Sequence, residues 1–314
     1  MRRFADKTTL FILGIFIFTA MTSFSSLATA GYQQPVFNLK FSIYGTGAEI
    51  RLNDIPVYFS DSVGQTNSQK AIPESIIDGE NTLSIRSFPL EEDGGQYRDG
   101  AYIEASITIR EKTASQSENK PVLHLKLNPT QEKAELVRGS LPNLGDKPLL
   151  HVQTDQQTVI SRRAQIQSPF PRWAWQGGQT IEDTPDNFNS LLEKYKEIWT
   201  ALNTGDKAKV FSLYDVAAQE FAQAYYYSDK KEGHRLMETG GLIGDDSWGL
   251  GGIDVRIKKK KYTMQIYGNK KLARIIDEKG NESLVTYLNK NVRMVNFQKF
   301  GFYKNKNGEW IMIR

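Results

Sequence analysis

Two adjacent carboxylates, Asp245 and Asp246, stand beside Trp248 in the glycine-rich stretch 233–252, and His234 lies upstream in the same stretch. A pair of carboxyl groups can catalyse general acid–base reactions when their surroundings give the two groups different pKa values. Neighbouring residues tend to point apart, however, and aspartates among glycines are typical of turns. The two aspartates and the histidine are therefore candidates for catalysis, with turn formation as the favoured alternative, and the tryptophan is a candidate for ligand contact.

A second chemical feature is the segment Val255–Ile276, which contains eight basic residues and no acidic residue. Its pattern predicts strands joined by a hairpin, so the charges should gather near the hairpin's base and tip. Concentrated positive charge binds anionic partners such as lipid headgroups, lipopolysaccharide or an acidic protein. The alternative is a solvated edge whose lysines prevent aggregation of strands. The candidate binding residues in this segment are Arg256, Lys258, Lys260, Lys270, Lys271 and Arg274.

Two tryptophans, Trp173 and Trp175, lie in the Pro- and Gly-rich segment 168–184. Proline and glycine interrupt regular structure, so this segment is interpreted as a linker between two domains. The tryptophans are candidates for stacking on a sugar or an aromatic ligand. The alternative is that they pack into the groove between the domains, which is the more frequent fate of large aromatic side chains.

Several classes of site are disfavoured by what the sequence lacks. The three histidines, His124, His151 and His234, are far apart and form no zinc-binding pair, and the chain has no cysteine for a thiol nucleophile or a disulfide. No P-loop and no Gly-x-Ser-x-Gly motif occurs. The acidic loop 89–99 offers oxygen ligands to calcium but lacks EF-hand spacing, so a solvated loop is favoured. The sequence thus predicts neither a metal nor a cofactor.

Residues 1–30 have the three-part layout of a secretory signal peptide. Arg2, Arg3 and Lys7 precede the apolar run Leu10–Phe18, and Ala28-Thr29-Ala30 supplies the small residues of a cleavage site. The apolar run is short for a membrane span, which needs about 20 residues. We therefore expect cleavage after Ala30, a periplasmic or secreted protein, and no transmembrane span after leader removal; the alternative is an uncleaved anchor.

The 314 residues suffice for two domains, and 39% hydrophobic content allows each to bury a core. In residues 31–167, apolar and polar residues alternate in seven or more short runs separated by turn residues, with Asp61–Lys70 interpreted as a polar loop. This pattern predicts an all-β sandwich domain. The leader holds three of the 40 basic residues, so the mature chain is nearly neutral and its net charge does not favour nucleic acid.

Residues 185–314 begin with a period of 3.6 and end with a period of two. Thr184 and Gly205 are predicted to cap a first helix, and Asp206 to begin a second. From Ile253 onward, alternating runs predict an antiparallel meander that includes a single long strand over Val292–Tyr303. This half is therefore predicted to be an α+β domain with helices packed on a curved antiparallel sheet.

Two stretches resemble known families. The segments Glu49–Tyr58 and Ile76–Ile85 resemble hairpins of Ig-like and jelly-roll accessory domains. The segment Leu191–Asn203 with the following Gly205-Asp206, and the closing hairpin Gly301–Arg314, are similar to the SnoaL-like (nuclear-transport-factor-like) α+β cone. The first resemblance implies a domain that binds sugars or proteins, or spaces other domains. The second implies a pocket that serves catalysis in some members and binding or dimerisation in others.

Three functions remain open from the sequence. The absence of a catalytic constellation favours an exported, non-catalytic binding or interaction protein of the bacterial cell envelope, with a protein or anionic envelope component as partner and nucleic acid disfavoured. The first alternative is an envelope enzyme, hydrolase-like, with a pocket in the C-terminal domain. The second is an immunity- or assembly-type protein that binds one specific partner protein.

Overall fold

A computed structural model describes residues 31–313 except 63, 130–149, 155–156, 279, 281–282 and 293. The predicted signal peptide and the predicted strand at Ala134–Arg138 lie outside the described residues, as does the side chain of His151. Within the described part of the chain, we find no helix with the length and hydrophobicity that a membrane span requires.

The N-terminal half of the described chain folds into two antiparallel sheets. The sheets have the strand orders β4–β1–β6–β7 and β3–β2–β5–β9–β8, from strands with the following bounds: β1 (Pro35–Tyr44), β2 (Gly47–Leu52), β3 (Ile55–Ser60), β4 (Thr66–Ala71), β5 (Gly79–Phe88), β6 (Tyr102–Glu111), β7 (Lys120–Leu127), β8 (Leu150–Thr154) and β9 (Gln157–Ile166). Alternate residues of β1, such as Phe37 and Leu39, share one buried core with Leu83 and Ile85 of β5. The period of two in the sequence thus places one face of each sheet against a common core.

The two long helices begin and end where their capping residues predict. Helix α1 (Pro185–Thr204) starts after Thr184, whose side chain accepts a hydrogen bond from the Asn187 backbone at 3.2 Å, and ends at Gly205 with a φ of 69°. Helix α2 (Lys207–Ala224) starts after Asp206, whose carboxylate likewise accepts a backbone hydrogen bond. Both predicted helices are confirmed. The shorter helices α3 (Lys230–Leu236) and α4 (Ile253–Lys259) were not predicted.

The C-terminal half also contains two antiparallel sheets rather than one. Their strand orders are β10–β13–β14 and β11–β12–β15–β16, and the strand bounds are β10 (Trp248–Leu250), β11 (Tyr262–Tyr267), β12 (Leu272–Asp277), β13 (Val285–Asn289), β14 (Val295–Gln298), β15 (Phe302–Lys304) and β16 (Trp310–Met312). The predicted hairpin of β11 and β12 is confirmed, with Tyr262 opposite Asp277 and Tyr267 opposite Leu272.

The predicted fold class, an all-β sandwich domain followed by an α+β domain with helices packed on one curved sheet, is wrong. The protein is mostly β, with 40% strand and 26% helix, and the described residues form four antiparallel sheets. The predicted long strand Val292–Tyr303 breaks between Gln298 and Phe302, so β14 and β15 pair with strands of different sheets. In addition, the segment after Ile253 forms helix α4 before the first predicted strand begins.

The predicted linker is part of the core. Trp173 and Trp175 are 1% and 3% exposed, and both belong to the hydrophobic cluster that the first two sheets enclose. The same cluster includes Tyr267 and Leu272 from the β11–β12 hairpin and Ile313 near the C-terminus. Neither tryptophan ring is therefore accessible to a ligand at the surface. This burial agrees with the alternative in which both tryptophans pack into the protein. The predicted domain boundaries at 167 and 185 stay predictions.

Candidate functional site

A pocket of about 760 Å³ lies beside α3 in the C-terminal half. Helices α1, α2 and α3, the loop 237–242 and strands β13 and β14 all contribute to its wall. Its side chains combine apolar surface with hydrogen-bonding groups. The side chains that line it include Leu202, Phe211, Tyr214, Lys231, His234, Arg235, Met237, Glu238, Thr239, Leu242, Tyr287, Asn296 and Gln298. A concave site of this volume and mixed lining is typical of small-molecule pockets.

His234 lies at the wall of this pocket and is 5% exposed. Its Nε2 is 3.2 Å from Asp215 Oδ1, and its Nδ1 is 3.3 Å from Thr239 Oγ1. Asp215 also accepts a hydrogen bond from Lys230 Nζ at 2.7 Å, and this contact, followed by the contact with His234, lowers the pKa of Asp215. A carboxylate, an imidazole and a hydroxyl thus form a continuous chain beside the pocket.

The structure separates His234 from the other catalytic candidates. Asp245 and Asp246 are exposed and do not line the pocket. Asp245 accepts hydrogen bonds from the side chain and backbone of Ser247, the backbone one at 2.9 Å, and these contacts lower its pKa. Trp248 is half-buried at the start of β10, packed against the C-terminal core. The turn alternative therefore describes the aspartates, and they form no paired site with the histidine.

The basic residues of the segment 255–276 lie on helix α4 and on the β11–β12 hairpin. Arg256 lies on helix α4, where its guanidinium donates to the hydroxyl of Tyr262 at 3.2 Å and to the carbonyl of Ser283 at 3.3 Å. Lys258 and Lys270 are exposed, the first on α4 and the second in the β11–β12 turn. Arg256 and Lys258 therefore share helix α4, whereas Lys270 lies in the β11–β12 turn.

Two further lysines of the segment are occupied by local contacts. Lys260 Nζ lies 4.0 Å from the carboxylate of Asp277, and Lys271 Nζ donates to the carbonyl of Gly178 at 2.9 Å. The segment itself has no acidic residue, but the antiparallel pairing of β11 and β12 brings Asp277 opposite Tyr262, close to Lys260. Part of its charge is neutralised in this way, which the local sequence pattern did not reveal.

Arg274 differs from the rest because it lines a cleft of about 380 Å³ between β3 and the β11–β12 hairpin. Its guanidinium donates to Gln265 Oε1 at 2.6 Å and lies 5.7 Å from the centre of the Tyr267 ring. Two other cations, Lys70 of β4 and Lys299 between β14 and β15, line the same cleft. We call these three side chains, Lys70, Arg274 and Lys299, the cationic cleft.

Positive charges oppose one another in the cationic cleft. Lys299 is exposed at the cleft, yet desolvation, followed by the charges of Arg274 and Lys70, lowers its pKa. Lys70 Nζ donates to the carbonyl of Val57 at 3.2 Å. None of the described residues that line the cleft is acidic. An anion bound here would replace repulsion among the three cations with attraction.

Most of the residues that build these two sites were missed by sequence reasoning. Lys70 lies in the predicted loop Asp61–Lys70, Lys299 in the predicted strand Val292–Tyr303 and Asp215 in the predicted second helix, and none of them stands in a motif. Only their arrangement in space connects them with Arg274 or His234. No local signal identifies such residues, because each site draws on segments that are far apart in the sequence.

No protein-family model, curated protein or solved structure matches this chain. The resemblances to Ig-like or jelly-roll domains and to the SnoaL-like cone therefore stay predictions. What the protein does has to be inferred from the geometry of its own residues.

Proposed function

We propose that this chain is a non-catalytic binding protein of the bacterial cell envelope and that its partner is anionic. The cationic cleft carries the proposal, because three cations from separate segments converge there and no acidic residue lies among its described lining. Holding like charges together costs free energy unless a counter-charge joins them. The envelope location rests on the signal peptide expected at residues 1–30 and stays a prediction with it.

The three cations differ in the way they would hold an anion. Arg274 is fixed by Gln265 and by the ring of Tyr267, so its planar guanidinium is oriented before binding. Such a fork donates two parallel hydrogen bonds to a phosphate or carboxylate. The ammonium groups of Lys70 and Lys299 add charge without fixed geometry. Together they favour a phosphate or carboxylate group of the envelope partner.

We expect the mature protein, residues 31–314, to bind inorganic polyphosphate in isothermal titration calorimetry, with an affinity that falls as salt is added. Replacing both Arg274 and Lys299 by glutamine should lower the affinity about tenfold or more, because charge-assisted hydrogen bonds are lost. The matched control replaces Lys258 and Lys270 by glutamine, which removes the same charge from exposed positions outside the cleft.

Two outcomes would count against this proposal. Equal weakening by the control pair would show that general positive charge, rather than the cleft, holds the anion. If neither polyphosphate nor vesicles containing anionic phosphatidylglycerol bind to the mature protein, the anionic partner itself is wrong.

A hydrolase-like envelope enzyme is the second candidate, and the chain Asp215–His234–Thr239 favours it. A carboxylate that orients an imidazole, which in turn contacts a hydroxyl, is the arrangement that activates a nucleophile. Contacts of 3.2 and 3.3 Å are long, as catalytic hydrogen bonds often are before substrate binds. The alternative is a buried histidine whose two nitrogens are simply satisfied.

For this second function, the mature protein should hydrolyse p-nitrophenyl esters, and Thr239→Val should abolish turnover while leaving the fold intact by circular dichroism. Val has nearly the shape of Thr but has no hydroxyl, so the loss would identify the nucleophile. Asp245→Asn serves as the control, since Asp245 lies outside the pocket. Turnover that survives Thr239→Val, or its absence in the unmodified protein, would rule out this role. The immunity- or assembly-type alternative stays a prediction.

A further inference from the structure

Two buried tyrosines in the pocket beside α3 lack the partners that buried hydroxyls usually have. Tyr214 and Tyr287 are 6% and 5% exposed, and both line the pocket. Neither hydroxyl has a hydrogen-bond partner among the described residues, and neither is one of the buried polar atoms that are sealed from solvent, so each hydroxyl reaches the open space of the pocket. A hydroxyl that faces a cavity and has no partner in the protein can bond to water or to a ligand in that cavity. The two hydroxyls are therefore positioned to bond a ligand that enters the pocket and displaces water.

Both phenols are donors rather than charged acceptors. Desolvation raises the pKa of each, and the neighbouring Tyr287 raises that of Tyr214 further. A phenol that stays protonated offers its hydrogen to an acceptor oxygen. Both phenols line the same pocket, so both face the space that a single ligand would occupy.

The rest of the wall is apolar toward α1 and α2 and polar at the sheet. Side chains from α1, α2 and the loop 237–242 form the apolar part, namely Leu202, Phe211, Met237 and Leu242. On the sheet side, Gln298 Nε2 donates to Asn296 Oδ1 at 2.7 Å, so this amide pair is already engaged. Apolar surface of this kind holds a hydrocarbon body by the hydrophobic effect.

The mouth of the pocket carries little net charge. Lys231, Arg235 and Glu238 are all exposed there, and Arg235 Nε pairs with a Glu232 carboxylate oxygen at 2.8 Å. The ligand is therefore selected by its apolar body and by its acceptor oxygen rather than by a strong field. The pocket differs in this respect from the cationic cleft, where three positive charges would determine which ligand binds.

We propose that the pocket beside α3 binds a small, largely apolar molecule whose carboxylate or carbonyl oxygen accepts hydrogen bonds from Tyr214 and Tyr287. The site is independent of the anion site, so it stands whether or not the cationic cleft binds a partner. Its volume of about 760 Å³ lies within the usual range for small-molecule sites.

The test uses the mature protein, residues 31–314, titrated with octanoate, 2-octanone and octylammonium. The first two probes combine an alkyl chain with an acceptor oxygen, whereas the third has an alkyl chain and no acceptor. We expect octanoate or 2-octanone to bind about tenfold or more tightly than octylammonium, because two hydrogen bonds distinguish them. Whichever of the two binds more tightly identifies the oxygen as carboxylate or carbonyl.

The variants Tyr214→Phe and Tyr287→Phe separate ligand binding from a structural role. Each variant should weaken the binding of the probe about fivefold, while the stability of the unliganded protein is nearly unchanged, since no hydrogen bond within the protein is lost. The matched control is Tyr195→Phe, whose buried hydroxyl accepts a hydrogen bond from the Ile275 backbone at 3.0 Å and does not line the pocket. That variant should lose stability and leave the affinity for the probe unchanged.

The proposal is overturned if no acceptor probe binds, if octylammonium binds as tightly, or if both Phe variants bind the probe like the unmodified protein. Loss of unliganded stability in the pocket variants, comparable with that of Tyr195→Phe, would also overturn it. The double variant of Arg274 and Lys299 should leave octanoate binding unchanged. Failure of this proposal can therefore be told apart from failure of anion binding.

Discussion

Gly233→Ala will destabilise the protein by about 3 kcal/mol or more, at the upper end of what overpacking costs. A Cβ at this position would lie 1.8 Å from the carbonyl oxygen of Ala218 and 2.6 Å from its carbonyl carbon. These are backbone atoms of helix α2, so no side-chain rotation relieves the clash. Helix α3 would have to move away from α2, although alanine by itself favours a helix.

The measurement is denaturant unfolding of the purified variant beside Gly177→Ala. A Cβ at Gly177 meets no atom within 4 Å and the residue has no positive φ, so that control should be nearly neutral. Because His234 follows Gly233 on the same helix, we also expect Gly233→Ala to lose the octanoate affinity proposed for the pocket. Unchanged stability in Gly233→Ala would mean that α2 and α3 are not packed as closely as described.

Trp173→Phe will cost about 3 kcal/mol, clearly more than Trp175→Phe. Both indoles are almost fully buried in the same core, so the two substitutions remove similar volumes. Their hydrogen bonds differ: Trp173 Nε1 donates to the carbonyl of Ile76 at 2.6 Å, while Trp175 Nε1 is buried with no partner among the described residues. Only Trp173→Phe leaves a buried carbonyl unpaired.

Thermal and urea unfolding of both variants will measure this difference, which we expect to be about 1–3 kcal/mol. The pair controls for the loss of ring volume, and Trp175→Phe also removes an unpaired donor, which offsets part of its cost. Equal destabilisation of the two variants would show that packing alone determines the cost. The hydrogen bond from Trp173 Nε1 to the carbonyl of Ile76 would then contribute nothing measurable to the free energy of unfolding.

The elements that could be predicted from the sequence are those whose signals are local. Thr184, Gly205 and Asp206 determine where α1 and α2 begin and end through contacts within a few residues. The strands of the first two sheets follow from the alternation of buried and exposed residues, as in β1. Turn residues such as Asn53, with a φ of 55°, mark where the chain reverses.

The elements that were missed depend on distant partners. Strand β4 has the polar sequence TNSQKA, which was interpreted as a loop, and it exists because its backbone pairs with β1 at the sheet edge. The break between β14 and β15 arises because their partners, β13 and β12, belong to different sheets. Hydrophobic periodicity does not contain that information, since it describes one segment at a time.

The candidate sites show the same division. His234 and Arg274 drew attention through their residue types, and each lies at a cavity in the structure. The residues that complete the sites, Lys70, Lys299 and Tyr287, come from elements that only the tertiary fold brings together. Asp245 and Asp246 also drew attention through their residue types, but they lie in an exposed turn and line no pocket with His234.

The core that joins the two halves determines when the protein can finish folding. The hydroxyl of Tyr226 donates to the carbonyl of Pro35 at 2.8 Å across 191 positions of sequence, and Ile313 packs into the same cluster as Phe37. A chain that leaves a ribosome with its N-terminus first cannot complete this cluster until Ile313 has emerged. Contacts of such long range slow folding. Strand β1 therefore cannot complete its packing until residues of both halves have been synthesised, so the N-terminal half does not reach its native core on its own.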